Sequence, residues 1–293
     1  MLLLQQLING LSLGSVYALI SVGFALIFSV LKFSNFAHGS VIMLSAYFGL
    51  WISNRFATSL WLTLLLCALA GGIVAVIIEK IGFRPIRLRG GSTIYFFVSS
   101  ISISLFFESF MTALLGGQFY MYRNFFKETT ISLGKLIIPW TSVLTLIVSS
   151  GALIFLLYVL YRTRIGIAIR AASTDLFTPN LMGADVDLIV SVTFFLSGVL
   201  AGISGLFLGI NLTVYPQIGG LVIKGFVATV IGGLGSLSGA VFGALLLGMG
   251  ETLITAYLGG SVTPIFSFSI MFIFLLLKPE GIAGLFGRSK LSL

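Results

Sequence analysis

The chain has 293 residues, 58% hydrophobic and 8% charged, with a mean hydropathy of +1.16. Soluble domains carry roughly 25% charged residues, so a water-soluble globule is excluded. At about 20 residues per crossing the chain reads as a polytopic membrane protein with little mass outside the bilayer. The net charge of +8 would elsewhere raise nucleic acid as a partner. Here the basic residues gather in short loops, where the positive-inside bias accounts for them, and nucleic-acid binding is set aside.

The first residues, MLLLQQLINGLSLG, lack the positive n-region of a cleaved signal, so the N-terminus is read as retained. A first apolar span covers about 7–31, and Gly10, Gly14, Ser15 and Ala18 give it a small-residue face for close helix approach. The run Lys32-Phe-Ser-Asn-Phe-Ala-His-Gly39 is too short for an ordinary loop. Asn35 and His38 are therefore placed in a broken helix whose freed backbone groups need a cavity or a protein neighbour.

The second span continues to about Ser53 and a third occupies about 60–78. The segment from Glu79 to Gly91 holds Lys80, Arg84, Arg87 and Arg89 against one acid, which places it in the cytoplasm. Pro85 is expected to prevent a continuous helix through it. A fourth span, about 93–115, carries four serines and then Glu108. An acid in a membrane helix is a functional-site candidate, and a solvated place near the far interface is the other reading; both stay open. Residues 116–139 are assigned to the external side, and a fifth span, about 140–161, returns the chain to the cytoplasm.

The stretch from Tyr161 to Asp187, YRTRIGIAIRAASTDLFTPNLMGADVD, is an island of charge. Each charge centred in a bilayer costs about 2.5–3.5 kcal/mol on insertion scales, so this loop lies in water. Gly166 to Ser173 is read as a helical turn or two. Thr178 is read as the cap of a second helix, with Pro179 at its first position and Gly183 stopping it. A rigid helix held off the membrane suits transmission from a partner; a plain surface loop is the alternative.

A sixth span reaches about Ile210, with Gly198, Gly202, Gly205 and Gly209 spaced for tight packing. After an external turn with Pro216, the glycine-rich run Leu221 to Ser236, carrying Lys224, reads as a second interrupted helix. The ladder Gly235, Gly239 and Gly243 opens a seventh region that extends to about Tyr257 and includes Glu251. A last span covers about 262–277, and Arg288 and Lys290 place the C-terminus inside. Alternation gives nine crossings and an external N-terminus; if one glycine-rich piece is re-entrant the count is eight, and the side of the N-terminus is then open. The fold class is all-α: a polytopic membrane helical bundle of eight or nine spans with broken or re-entrant helices. It forms one domain over 1–293, with a cytoplasmic coupling loop at 162–187.

No G-x-x-x-x-G-K-[ST] phosphate loop, His-Glu-x-x-His pair or Gly-x-Ser-x-Gly elbow occurs in the sequence, which argues against an enzyme. One histidine excludes a multi-His metal site within the chain, and Cys67 in mid-span says nothing of disulfides. A conduit remains. Two breaks in different halves resemble the paired discontinuities of transporters, whereas the plainer reading has glycines packing helices and Asn35, His38 and Lys224 satisfying backbone carbonyls. An autonomous channel or ion-coupled carrier would use Glu108, Glu251 and Lys224 as ligands.

The segments Asn9-Gly-Leu-Ser-Leu-Gly-Ser-Val-Tyr-Ala-Leu-Ile20, Asn35-Phe-Ala-His-Gly39, Arg84-Pro-Ile-Arg87, Arg164-Ile-Gly-Ile-Ala-Ile-Arg-Ala171, Leu181-Met-Gly183, Lys224-Gly-Phe226, Gly232-Gly-Leu-Gly-Ser236 and Lys278-Pro-Glu-Gly281 resemble, in order, the membrane permease of branched-chain amino-acid ABC importers. The resemblance implies a multi-pass subunit of the bacterial inner (plasma) membrane. It would pair with a second, LivM-like permease, two cytoplasmic ATPases that bind ATP and Mg, and a periplasmic solute-binding protein, with no cofactor on this chain. It implies ATPase coupling by Arg164, Gly166, Arg170, Ala171, Asp175, Pro179, Leu181, Met182 and Gly183. The solute-path candidates in the matching segments and breaks are Asn9, Tyr17, Asn35, His38, Lys224, Gly232, Gly233 and Gly235. Helix N-termini at Asn35–Gly39 and Gly232–Ser236 would offer dipoles to a substrate carboxylate. Ser40 stands where the family often has an acid, and Pro179-Asn180 replaces a common alanine pair. Related permeases carry urea, short amides or other amino acids.

Overall fold

The computed structural model describes residues 2–56, 58–123, 125, 130–133, 136–175, 183–278 and 280–286. Its long helices are α1 (Leu2–Leu31), α2 (His38–Phe56), α3 (Leu60–Ile78), α5 (Thr93–Leu115), α6 (Trp140–Arg162), α8 (Val186–Asn211), α10 (Leu237–Leu258) and α11 (Thr263–Leu277). Shorter ones are α4 (Arg84–Leu88), α7 (Arg164–Thr174) and α9 (Val222–Gly232), the last entered through a 3-10 turn at Pro216–Leu221. Among the described residues seven helical stretches are long and apolar enough to cross a membrane. The exception to helix is an antiparallel hairpin of β1 (Thr130–Leu133) and β2 (Leu136–Pro139), with Leu133 paired to Leu136.

Side-chain caps start several helices by satisfying orphan backbone donors. The Ser59 hydroxyl accepts from Leu62 N, Thr163 from Gly166 N, Asp185 from Asp187 N and Leu188 N, and Ser236 from Gly239 N. One sequence expectation is corrected. Helix does continue past Pro85, because Glu79–Phe83 widens into a π turn in which the Arg84 amide donates to the Glu79 carbonyl. The wider turn makes room for a proline ring that an α-helical carbonyl four residues back would obstruct. Glu79 is fully buried in it.

α1 runs through the middle of the bundle, antiparallel to α10: Gly10 backs onto Met249, Gly14 onto Leu245, and the Ser21 hydroxyl donates to the Ala240 carbonyl at 3.1 Å. The glycine face of α8 works as the sequence implies. A β-carbon on Gly202 would sit 2.1 Å from the Cys67 carbonyl oxygen of α3, and one on Gly198 2.4 Å from that of Gly71. With water absent from hydrocarbon, such backbone proximity and its dispersion contacts hold membrane helices together. By contrast α5 carries Ile94, Tyr95, Val98, Leu105, Phe106 and Leu114 outward, a face left exposed by the described residues.

Candidate functional site

The two breaks predicted from polar residues in apolar runs come together. α1 ends at Lys32, whose φ of 55° is an uncommon one for a side chain-bearing residue, and residues 33–37 then lead into α2. The Asn35 side-chain oxygen accepts from Ala37 N at 3.1 Å, and Phe36 N donates to the Ser100 hydroxyl of α5 at 3.3 Å. Freed amides thus find partners inside the protein, as a break at membrane depth requires. Phe36 packs on Phe226 of the second break with ring centroids 5.7 Å apart. Gly39 meets Gly219, in the 3-10 turn that the sequence reading leaves outside that break, backbone to backbone. A β-carbon on Gly39 would lie 2.3 Å from the Gly219 carbonyl oxygen, and one on Gly219 2.5 Å from that of Gly39.

Beside this crossing lies a cavity of about 310 Å³, within the size range of small-molecule sites. Ser40, Ser104 and Glu108 are its polar lining; Phe36, Met43, Phe97, Ile101 and Val222 are among its apolar walls, and Gly219 and Gly220 expose bare backbone to it. The Ser40 hydroxyl is buried and has no hydrogen-bond partner among the described residues. Further toward the C-terminal ends of α2 and α5, a second cavity of about 630 Å³ is bounded by Tyr47, Trp51, Asn54, Arg55, Met111 and Tyr120. The seam between these two helices therefore carries hollow space at two levels.

His38 is not among the residues that line these two cavities. It is buried, with Nδ1 3.3 Å from the Ser197 hydroxyl, which itself donates to the Gly23 carbonyl at 2.8 Å. Since the serine proton is already committed, the histidine donates from Nδ1, leaving Nε2 bare and without a partner among the described residues.

Asn9, Tyr17 and Lys224 gather elsewhere, around Glu251. Lys224 Nζ is 2.5 Å from Glu251 Oε1 and donates to the Ser267 hydroxyl at 2.9 Å; Tyr17 donates to Glu251 Oε2 at 2.9 Å, and Ser267 donates to Oε1. This cluster ties α1, α9, α10 and α11. Above it a polar cleft of about 610 Å³ is lined by Gln6, Asn9, Ser12, Asn211, Glu251 and Thr252, among others. Gly232, Gly233 and Gly235 line none of these cavities. They form the turn from α9 into α10, with Gly233 at φ 110° and Gly235 at φ 87°, and a β-carbon on Gly232 would lie 2.1 Å from the Gly239 carbonyl oxygen.

Sequence reasoning thus found the breaks but missed Ser40, Ser104 and Gly219 as cavity residues and left Glu108 undecided. The signal available was the acid in mid-helix and the serine-rich face of α5.

In the charged loop, Arg164, Gly166, Arg170 and Ala171 lie on α7 and Asp175 follows it. A β-carbon on Gly166 would lie 2.3 Å from the Leu160 and Val159 carbonyl oxygens, which is how the chain turns so sharply out of α6. The Arg170 guanidinium stacks 5.0 Å from the Tyr161 ring centroid, a cation–π contact. Pro179, Leu181 and Met182, and the helix expected there, lie outside the described residues. Gly183 is exposed at φ 79°, and among the described residues nothing lies within 4 Å of where a β-carbon on it would sit. Where the loop rejoins α8, Asp187 is held by Arg84 and by Arg87 at 2.7 Å. Arg87 also pairs with Glu79 at 3.1 Å, and Glu79 accepts from Ser191 at 2.9 Å. The segment after α3 and the start of α8 are thus one ionic cluster.

Residues 6–276 match a family model described as the permease component of branched-chain amino acid transport systems. The chain belongs to that family. It is 33% identical to the permease protein BraD of a high-affinity branched-chain amino acid transport system from Pseudomonas aeruginosa, over 96% of this chain and 95% of that protein. It is 31% identical to LivH of Salmonella typhimurium over the same shares, and 29% identical to a probable LivH of Methanocaldococcus jannaschii over 91% and 88%. Among solved structures, PsaBC from Streptococcus pneumoniae in complex with Fab superposes with a TM-score of 0.50 at 15% identity, covering 95% of this chain and 94% of that one; this is a likeness of fold. The permease is a multi-pass membrane transport subunit, not an enzyme.

Proposed function

We propose that this permease is a membrane subunit of an ATP-driven importer of branched-chain amino acids, moving solute by alternating access through the seam where its two broken helices cross. The observation that carries the reading is the match along almost the whole chain to permease components, with BraD and LivH near one-third identity. The hollow seam between α2 and α5 supports it independently, since discontinuous helices at the midplane are where transporters bind solute.

In this reading the chain crosses the bacterial inner membrane nine times with its N-terminus outside. Seven crossings are the long apolar stretches. The others are residues 33–56 and the shorter apolar stretch Pro216–Gly232, interrupted passages that satisfy their freed backbone inside the protein. The outward face of α5 would then meet a second, LivM-like permease, which closes the cavity from the other side. Two ATPases carrying ATP and Mg dock at the loop 162–187, and a periplasmic binding protein delivers solute to the outer end. The cluster of Arg84, Arg87, Glu79 and Asp187 offers a mechanical route. A push on the loop reaches α8 at Asp187 and, through the two arginines, the segment leading into α5, one wall of the cavity.

The test is reconstitution of the permease with its second permease, ATPases and binding protein in liposomes. ATP-dependent uptake of L-leucine is expected. Uptake by this chain alone under a sodium or proton gradient would favour the ion-coupled carrier and overturn the reading. The Gly183→Asp variant is expected to insert and assemble normally yet lose ATPase stimulation by loaded binding protein; full stimulation would remove the loop's role in coupling.

A further inference from the structure

The acids of the described spans differ in one respect. Glu79 is buried and held by Arg87, and Glu251 is buried and held by Lys224. Asp187, at the start of α8, is held by two arginines. Each carboxylate has a cation of the chain's own, as the cost of charge at membrane depth requires. Glu108 has none: its carboxylate makes no ion pair or hydrogen bond among the described residues, although it stands seven residues inside the outer end of α5.

Its surroundings complete the contrast. It is the only charged side chain among the described residues lining the 310 Å³ cavity. Ser40 belongs to the same lining, and its hydroxyl is buried without a partner among the described residues. A buried polar group without a partner is costly and calls for an explanation, and a ligand entering the adjoining cavity would provide one. Apart from Ser104 and the backbone at Gly219 and Gly220, the remaining walls are hydrocarbon and aromatic.

On the importer reading, we infer that Glu108 receives the primary ammonium of the transported amino acid. Ser40 hydrogen-bonds the polar end of the solute, and Phe36, Met43, Ile101 and Val222 enclose its side chain. The cation that Glu108 lacks among the described residues is supplied by the cargo. This sets a specificity at the membrane stage: solutes with an ammonium and an apolar body are accepted, while uncharged amides and urea leave the carboxylate unpaired. A partner of this kind sharpens selectivity because rejection comes from the group left bare, not from lost contact alone.

The assay is initial uptake of L-leucine by the complete importer in liposomes at saturating binding protein, with thermal unfolding of the purified complex as the check on folding. Loss of a charge-assisted contact predicts that Glu108→Gln reduces uptake by about 10- to 100-fold. The Glu108→Asp variant, which keeps the charge, should recover most of it; a purely structural role would not distinguish the two in this order. If Glu108→Gln does not assemble, Ser40→Ala reads the same site, with about a tenfold loss expected and the complex intact. Wild-type uptake in Glu108→Gln, or in Ser40→Ala should that variant be needed, overturns the inference and leaves the importer reading standing. A wild-type complex that imports no L-leucine overturns both.

Discussion

The two breaks look alike in sequence, each a few polar or glycine residues in a hydrocarbon run, yet they are held by different physics. The first is stitched by single neutral hydrogen bonds, from Ala37 N to Asn35, from Phe36 N to Ser100, and between His38 and Ser197. The second hangs on an ion pair, Lys224 with Glu251, reinforced by Tyr17 and Ser267. A neutral stitch of this kind is worth about 0.5–1.5 kcal/mol, so the first break rests on several small contributions. A buried ion pair is weak as net stabilisation but severe when half removed. In its polar contacts the first break is therefore tolerant, while the second is all-or-none.

Experiments can break or sharpen that contrast. The largest effect is expected at the crossing itself: Gly39→Val or Gly219→Val forces a side chain into a carbonyl oxygen 2.3–2.5 Å from the new β-carbon, and uptake in liposomes should be abolished with the helices separated. Next, Glu251→Gln strands Lys224, at a cost of about 3–5 kcal/mol, visible as a marked drop in the unfolding temperature of the purified permease. Replacing both partners, Lys224→Met with Glu251→Leu, should recover much of that loss, and a double variant as unstable as the single one would refute the ion-pair account. At the first break Asn35→Ala should cost only about 1 kcal/mol. Ser100→Ala should fall below that, since its acceptor contact to Phe36 N is 3.3 Å and partly exposed.

The same contrast explains how much was legible beforehand. The spans were read within a few residues because hydropathy and charged loops leave few places for ends: 60–78, 93–115 and 263–277 fall nearly where the composition puts them. The breaks were visible as Asn35, His38 and Lys224 interrupting apolar runs. What each break touches was not. Ser40, Ser104, Glu108 and Gly219 are scattered along the chain and become one lining only through packing of α2, α5 and the 3-10 turn. Gly232, Gly233 and Gly235 are legible as a break, but the positive φ of Gly233 and Gly235 and the close backbone contact of Gly232 are invisible in a string of letters. Helix through Pro85 was missed for a related reason, since no periodicity announces a π turn.

The meeting of Gly39 with Gly219 has a consequence for redesign. Because main chain touches main chain there, nothing at the junction can be enlarged or trimmed by substitution, and the two interrupted passages must shift as a unit when the bundle rocks. Altered cargo preference would therefore have to be engineered in the surrounding ring of side chains, with the junction left as a fixed pivot.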